Sequence, residues 1–141
     1  LKPEIIWNYE YGMALSGEDI ALARMNRARV HVNMCEFFET YDLLVTPTVM
    51  TPPFPVETRY LEEVAGVKFT NYVDWLMHTF VITPTGCPAV SLPCGFTKAG
   101  LPVGLQLVAP PRGEAALLSA AAAFEANWDL QWQTPIDPRV K

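Results

Sequence analysis

Residues 82–108 restrict what this chain can fold into more than any other stretch. Two apolar runs alternate within it. In Ala89-Val90-Ser91-Leu92, Val90 and Leu92 share one face while Ala89 and Ser91 share the other. In Val103-Gly104-Leu105-Gln106-Leu107, Val103, Leu105 and Leu107 fall together. A period of two marks strands, because successive side chains leave a strand on opposite sides. Gly95 and Thr97-Lys98-Ala99-Gly100 lie between the runs, which predicts a hairpin or a close antiparallel return. Pro93 and Pro102 lack an N–H for a ladder, so they belong at strand ends or turned away from a partner strand.

Upstream, apolar spacing predicts helices. Ile5, Ile6, Tyr9, Met13 and Ala14 suit a helix over 3–15, weakened near its end by Gly12. Ser16 is an N-cap candidate for a second helix over 17–40, with Glu18 and Asp19 at the positive end of its dipole. On that helix Ala21, Met25, Ala28, Val32 and Cys35 form one stripe; Ile20, Val30, Met34, Phe38 and Tyr41 form another. Two apolar sides predict a helix packed between layers, edged by Arg24, Arg27, Arg29 and Glu36. Those charges suit a solvated edge, with an arginine aimed at an anionic substrate as the functional alternative.

Leu43-Leu44-Val45 reads as a short strand buried on both faces in a parallel region. Residues 48–67, with Pro52, Pro53 and Pro55 just after Pro47, read as an irregular Pro-rich loop. The loop is either a surface excursion or the rim of a substrate channel. Phe69 to Phe80 and Glu114 to Asn127 are spaced as helices, and residues 128–141 as an extended tail anchored by Trp128 and Trp132.

The strings Thr85-Gly86-Cys87-Pro88-Ala89-Val90-Ser91-Leu92-Pro93-Cys94-Gly95-Phe96 and Gly100-Leu101-Pro102-Val103-Gly104-Leu105-Gln106-Leu107-Val108 resemble the carboxy-terminal hallmark of the amidase signature hydrolases. Tyr41-Asp42-Leu43-Leu44-Val45-Thr46-Pro47-Thr48 resembles a strand of the same family, and Arg112-Gly113-Glu114 with the helix after it resembles the family's closing helix. These motifs span residues 17 to 127 in the family's order. One position departs: many members carry Asn three residues before the hallmark glycine, where this chain has Thr83.

The resemblance implies an α/β fold, the carboxy-terminal part of an α/β/α sandwich with a mixed sheet. It also implies an enzyme that cleaves a non-peptide carboxamide to a carboxylate and ammonia or an amine, without a cofactor. The segment before the hallmark strand then faces the catalytic centre, which makes Thr83, Thr85, Gly86 and Cys87 substrate-binding candidates. Pro84 and Pro88 stiffen that segment, and Trp75 on the preceding helix offers an apolar wall.

The family's chemistry uses Ser–Ser–Lys, and a serine nucleophile needs a base to take its proton. Here the serines are Ser16, Ser91 and Ser119 and the lysines Lys2, Lys68, Lys98 and Lys141, with no adjacent serine pair and no Gly/Ser-rich run. No catalytic residue is therefore expected within the chain, and the chain by itself is expected to be inactive. The alternative is a non-catalytic binding or assembly module on the same scaffold. Two other pairings are conceivable: Cys94 with His78 as a thiol dyad, and Asp74 with Glu62 or Glu63 as paired carboxylates. The first matches no known spacing of a cysteine enzyme; the carboxylates of the second fall on a loop and a helix, and solvated charges explain them as well.

Composition narrows the partners. A net charge of −5 and the absence of a Lys/Arg cluster argue against nucleic acid. The apolar run Ala115 to Phe124 is too short to span a bilayer, and Leu1-Lys2-Pro3-Glu4 lacks the pattern of a signal peptide. Three cysteines, Cys35, Cys87 and Cys94, make no disulfide framework and no zinc set, which points to a reducing cytoplasm. Half the residues are hydrophobic, rich for a single domain of 141 residues. The chain is therefore expected to be a piece of a larger body and to self-associate on its own.

Overall fold

A computed structural model describes residues 1–128. Its elements run α1 (Pro3–Met13), α2 (Gly17–Phe37), β1 (Leu44–Pro47), β2 (Glu63–Val64), β3 (Val67–Lys68), α3 (Tyr72–Phe80), a 3-10 turn (Thr83–Thr85), β4 (Ala89–Phe96), β5 (Pro102–Val108) and α4 (Glu114–Trp128). The extended tail expected from residue 128, with Trp132, lies outside the described residues apart from Trp128, which ends α4 and stacks on Phe124.

The alternating runs do form a hairpin. β4 and β5 pair antiparallel from Ala89↔Val108 to Phe96↔Pro102. The turn closes through Thr97, whose N–H reaches the Leu101 carbonyl at 2.8 Å and whose hydroxyl accepts from the Leu101 N–H at 3.1 Å. Pro102 opens its strand. Pro93 sits beside a bulge, where the register slips between Pro93 and Gly95 and leaves Cys94 without an opposite residue. A bulge on an edge strand is one of the few sheet positions that tolerate proline.

β1 joins the other side of β5, also antiparallel, which gives the strand order β1-β5-β4. This corrects the parallel setting expected for Leu43–Val45. β1 returns against β5 after a long excursion, so no crossover is required, and Val45 is exposed. Every strand pair among the described residues is antiparallel, so the parallel component of the implied mixed sheet is absent from them.

Alternation gives this sheet two unlike faces. Leu92, Leu107, Val90 and Leu105 face α4, where Leu117, Ala121 and Phe124 meet them and Ala109 closes the core. The opposite face carries Thr46, Thr48, Ser91, Gly104 and Gln106. Here Gln106 donates to the Thr46 hydroxyl at 3.2 Å, and the Thr48 and Ser91 hydroxyls lie 2.7 Å apart across Gly104.

α2 starts as expected. Ser16 Oγ accepts from the Asp19 N–H, and Asp19 accepts in return from the Ser16 N–H, a reciprocal capping box. The expectation that α2 is packed between layers is not met among the described residues. Neither α1 nor α2 has a buried residue, and Met25 is 65% exposed. Among the described residues the element packed most closely on α2 is the 3-10 turn, and none covers its other sides closely.

The Pro-rich loop also contains a feature that the sequence reading does not anticipate. β2 and β3 make a two-residue hairpin around Ala65 and Gly66, both at positive φ (52° and 81°), the geometry of a tight hairpin turn.

Candidate functional site

Helix α3 carries Trp75, and its position is set by its first turn. Asn71 caps it, accepting from the Val73 and Asp74 N–H groups at 2.9 and 3.0 Å. Asp74 reaches back to the Thr70 N–H and hydroxyl, at 3.0 and 2.5 Å, and these bonds hold its carboxyl below the usual aspartate range. The Thr70 hydroxyl makes the largest contribution. The helix therefore begins at Tyr72, three residues after the periodicity alone suggests. At its other end His78 Nε2 donates to the Pro47 carbonyl at 2.6 Å, which ties α3 to the end of β1.

So anchored, Trp75 meets Phe54 edge-on at a centroid distance of 5.6 Å, and Phe69 at 6.2 Å. Trp75 and Phe54 stand at the wall of a cavity of about 340 Å³, with Val49, Met50, Pro47 and Val103 among its other walls. The lining is mainly apolar, with Gly104 at its edge beside the Thr48–Ser91 hydroxyl pair. A mainly apolar cavity of this size is of the kind that small-molecule sites use. The first half of the Pro-rich loop is thus a cavity wall, and its prolines give that wall stiffness. The rest of the loop is tied down elsewhere: Arg59 forms an ion pair with Glu4 of α1, and Tyr60 meets Tyr72 edge-on.

The segment Thr83–Cys87 lies against α2. Its 3-10 turn ends at Gly86, which adopts φ +74°, a left-handed conformation that a side chain would strain. Thr85 is only 3% exposed. Its hydroxyl donates to the Ile82 carbonyl at 2.5 Å and accepts from the Cys87 N–H at 3.1 Å, so it braces the turn from within. His31 Nδ1 lies 2.6 Å from the Thr85 carbonyl, which can only accept, so this nitrogen carries the proton. A second cavity, of about 510 Å³, opens here between Arg24, Arg27, Ala28 and His31 of α2 and Pro84, Thr85 and Gly86.

The five substrate-binding candidates thus divide. Trp75 lines the apolar cavity, whereas Thr85 and Gly86 line the one against α2, with Thr83 exposed and Cys87 half-buried beside them. The structure does not place them around a single cavity. The other two pairings find no support in the geometry: His78 is engaged by Pro47 and Asp74 by Thr70. Among the described residues no group of His, Cys, Asp and Glu is arranged to hold a metal ion.

Two contributors escape the sequence reading. His31 is separated from Thr85 by 54 residues, and nothing local marks their contact. The wall residues Val49, Met50 and Phe54 sit in a loop without periodicity; the only signal is the density of prolines next to large apolar residues.

The family model described as Amidase matches residues 4–118 of the chain. The A subunit of the glutamyl-tRNA(Gln) amidotransferase from Moorella thermoacetica is 48% identical over 98 residues, covering 70% of this chain and 19% of that protein. An acylamidase of Rhodococcus erythropolis is 35% identical over 127 residues, covering 89% of this chain and 26% of that protein. Among solved structures, a bacterial aryl acylamidase of the amidase signature enzymes superposes with a TM-score of 0.78 at 23% identity, covering 96% of this chain and 29% of that one. A 6-aminohexanoate cyclic dimer hydrolase superposes at 0.67 with 26% identity, covering 81% and 25%. The chain spans about a fifth to a quarter of the length of these curated relatives.

Proposed function

This chain belongs to the amidase family, and we propose that it is the carboxy-terminal portion of an amidase whose Ser–Ser–Lys machinery lies upstream. The parent enzyme hydrolyses a non-peptide carboxamide to a carboxylate and ammonia or an amine. One observation carries the reading: the family match spans residues 4–118, yet among the described residues no hydrogen bond joins a serine to a lysine. Ser16 caps α2, Ser91 bonds Thr48, and Ser119 donates to the Ala115 carbonyl at 2.9 Å. The family's serine needs a lysine as its base, and none of these is bonded to one: Ser16 donates to the Asp19 carboxylate, which caps the helix. The uncovered apolar sides of α1 and α2 support the same reading, since a larger body would bury them.

In this reading the chain supplies scaffold and binding walls. Trp75 with the Pro-rich loop contacts the apolar part of the amide substrate. Thr83, Thr85, Gly86 and Cys87 form the stiff edge that borders the catalytic centre, with Thr85 acting through the turn it braces. The enzyme works without a cofactor in the cytoplasm; its three cysteines are free thiols. Among the described residues no helix is long and apolar enough to cross a membrane.

The test is hydrolysis of a panel of aryl and aliphatic amides. The reading frame extended upstream of this chain should turn them over, and the 141-residue chain alone should not. Turnover by the chain alone, abolished by a substitution within it, overturns the proposal; so does an upstream sequence lacking the Ser–Ser–Lys residues. In the longer protein Trp75→Ala and Cys87→Trp should change substrate preference or KM more than stability. The isolated chain should self-associate through its bare helices, and sedimentation as a clean monomer at high concentration counts against that.

A further inference from the structure

One face of α2 carries a set of groups that the amidase reading does not use. Cys35 Sγ lies 3.7 Å from His31 Nε2. The opposite ring nitrogen donates to the Thr85 carbonyl at 2.6 Å, so in the neutral ring Nε2 presents its lone pair to the thiol. A nucleophile, a base and a third group that orients the base are thus in line. The orienting group comes from a different element, 54 residues away in sequence. His31 also borders the cavity of about 510 Å³ that Arg24 and Arg27 line. Among the described residues neither arginine has a carboxylate partner within 4 Å.

We propose that the α2 face formed by Arg24, Arg27, His31 and Cys35 is a thiol-modification site that takes small anionic disulfides. Cys35 gives its proton to His31 Nε2 as its sulfur attacks one sulfur of the disulfide. One S–S bond forms, the original one breaks, and the second half leaves as a thiolate. The proton passes from His31 to solvent, and no oxidant beyond the disulfide is consumed. The guanidinium groups of Arg24 and Arg27 attract the negative charge of the incoming molecule. The 3-10 turn packed on this face brings no charge that opposes them; Glu36 and Glu39 are the acidic groups nearest to Cys35 along the chain.

The face borders the helix's bare apolar side. At about 100° per residue, Cys35 lies within a quarter turn of Arg24, Arg27 and His31. On its other side Cys35 lies about 60° from the exposed Val32 and about 80° from Met25, with Leu22 further round.

Cys35, Cys87 and Cys94 serve as internal comparators in one experiment. The chain is treated with dianionic dithiobis(nitrobenzoate) and, separately, with dicationic cystamine, and the rate at each cysteine is read by peptide mass spectrometry. Cys35 in the folded chain should react about tenfold or more faster than the same cysteine in urea-unfolded chain. His31→Asn keeps a donor for the Thr85 carbonyl but removes the base, and should reduce the Cys35 rate with both probes to that of the unfolded chain. Joint replacement of Arg24 and Arg27 by Gln should slow dithiobis(nitrobenzoate) by about threefold or more and leave cystamine unslowed. A Cys35 rate no greater than in urea overturns the proposal. So does an unchanged rate in folded His31→Asn, or equal slowing of both probes in the arginine variant. Should a variant lose its circular dichroism, the folded-against-unfolded comparison in the unmodified chain decides alone.

Discussion

The hairpin with α4 and the pair α1–α2 are both rich in apolar residues, yet they bury them very differently. Around the hairpin, Leu107 and Leu117 are 4% and 3% exposed and Val108 is fully enclosed. On α1 and α2 no residue is buried, and Leu22 is 55% exposed. The difference follows from sequence distance. β4, β5 and α4 are consecutive, so a tight turn and a short connection bring their apolar faces together at low entropic cost. Among the described residues α1 and α2 find no cover for their stripes and meet the remainder at their edges, His31 of α2 against the 3-10 turn and Glu4 of α1 against Arg59. An amphipathic helix gains most of its stability from what covers its apolar face. The described residues therefore contain one region that completes its own core and one whose apolar sides they leave uncovered.

The largest expected effect tests that division directly. Leu107→Ala and Leu117→Ala should each destabilise by about 2–5 kcal/mol, the usual cost of a cavity in a closed core. Leu22→Ala and Met25→Ala should stay within about 0.5 kcal/mol, as exposed substitutions do. Urea unfolding followed by circular dichroism measures both sets. Equal losses in the two regions would erase the contrast.

A smaller effect is expected on the sheet's polar face. A Cβ at Gly104 would stand 2.7 Å from Thr48 Oγ1 and 3.1 Å from Thr48 Cβ. Thr48 is held by its bond to Ser91, so it does not yield freely. Gly104→Ala should cost about 1–3 kcal/mol, the range for overpacking. Gly12→Ala, with nothing within 4 Å of the added carbon, should be neutral or stabilising by about 0.5–1 kcal/mol. A Gly104→Ala chain as stable as the parent would show that this face is looser than the α4 face.

What the sequence makes legible follows the same line between near and far. The hairpin, its turn at Thr97–Gly100 and helix α4 are legible because period and turn chemistry are local signals. The first turn of α2 is legible because Ser16 and Asp19 are three residues apart. The antiparallel setting of β1 is not, since a short apolar run fits either direction and the partner is 60 residues away at Thr46–Gln106. The hairpin of β2 and β3 has a readable mark, Ala65-Gly66 between Val64 and Val67, obscured by the prolines around it. At the candidate site, Trp75 is legible as a wall, because a large aromatic on a helix beside a Pro-rich loop has few other settings. Its companions are not, because Phe54 and Met50 reach it only through the path of an aperiodic loop.

The smallest expected effect compares the two helix starts under acid. Asp19 is held below the usual aspartate value of 3.8 by the Ser16 hydroxyl and N–H, and Asp74 by those of Thr70. A lowered value in the folded state means that the folded chain binds fewer protons than the unfolded chain as pH falls through this region. The stabilisation is thus present above pH 3.8 and is lost as pH falls through each folded value. Both carboxylates face solvent, so the loss is local loosening of a first turn rather than global unfolding. The two starts should nevertheless report differently. α3 carries Trp75 against Phe54 at the cavity wall and is pinned at its far end by His78, so loosening at Asp74 shifts the Trp75 ring. α2 has no buried side chain to move, so loosening at Asp19 stays at its own amides. An acid titration followed by the Trp75 indole N–H resonance and the Asp19 amide resonance should show the first lose its shift in Asp74→Asn and the second in Asp19→Asn. A Trp75 resonance that follows Asp19 instead would mean that α2 and the cavity wall move as one body, and the division between the two regions would not hold.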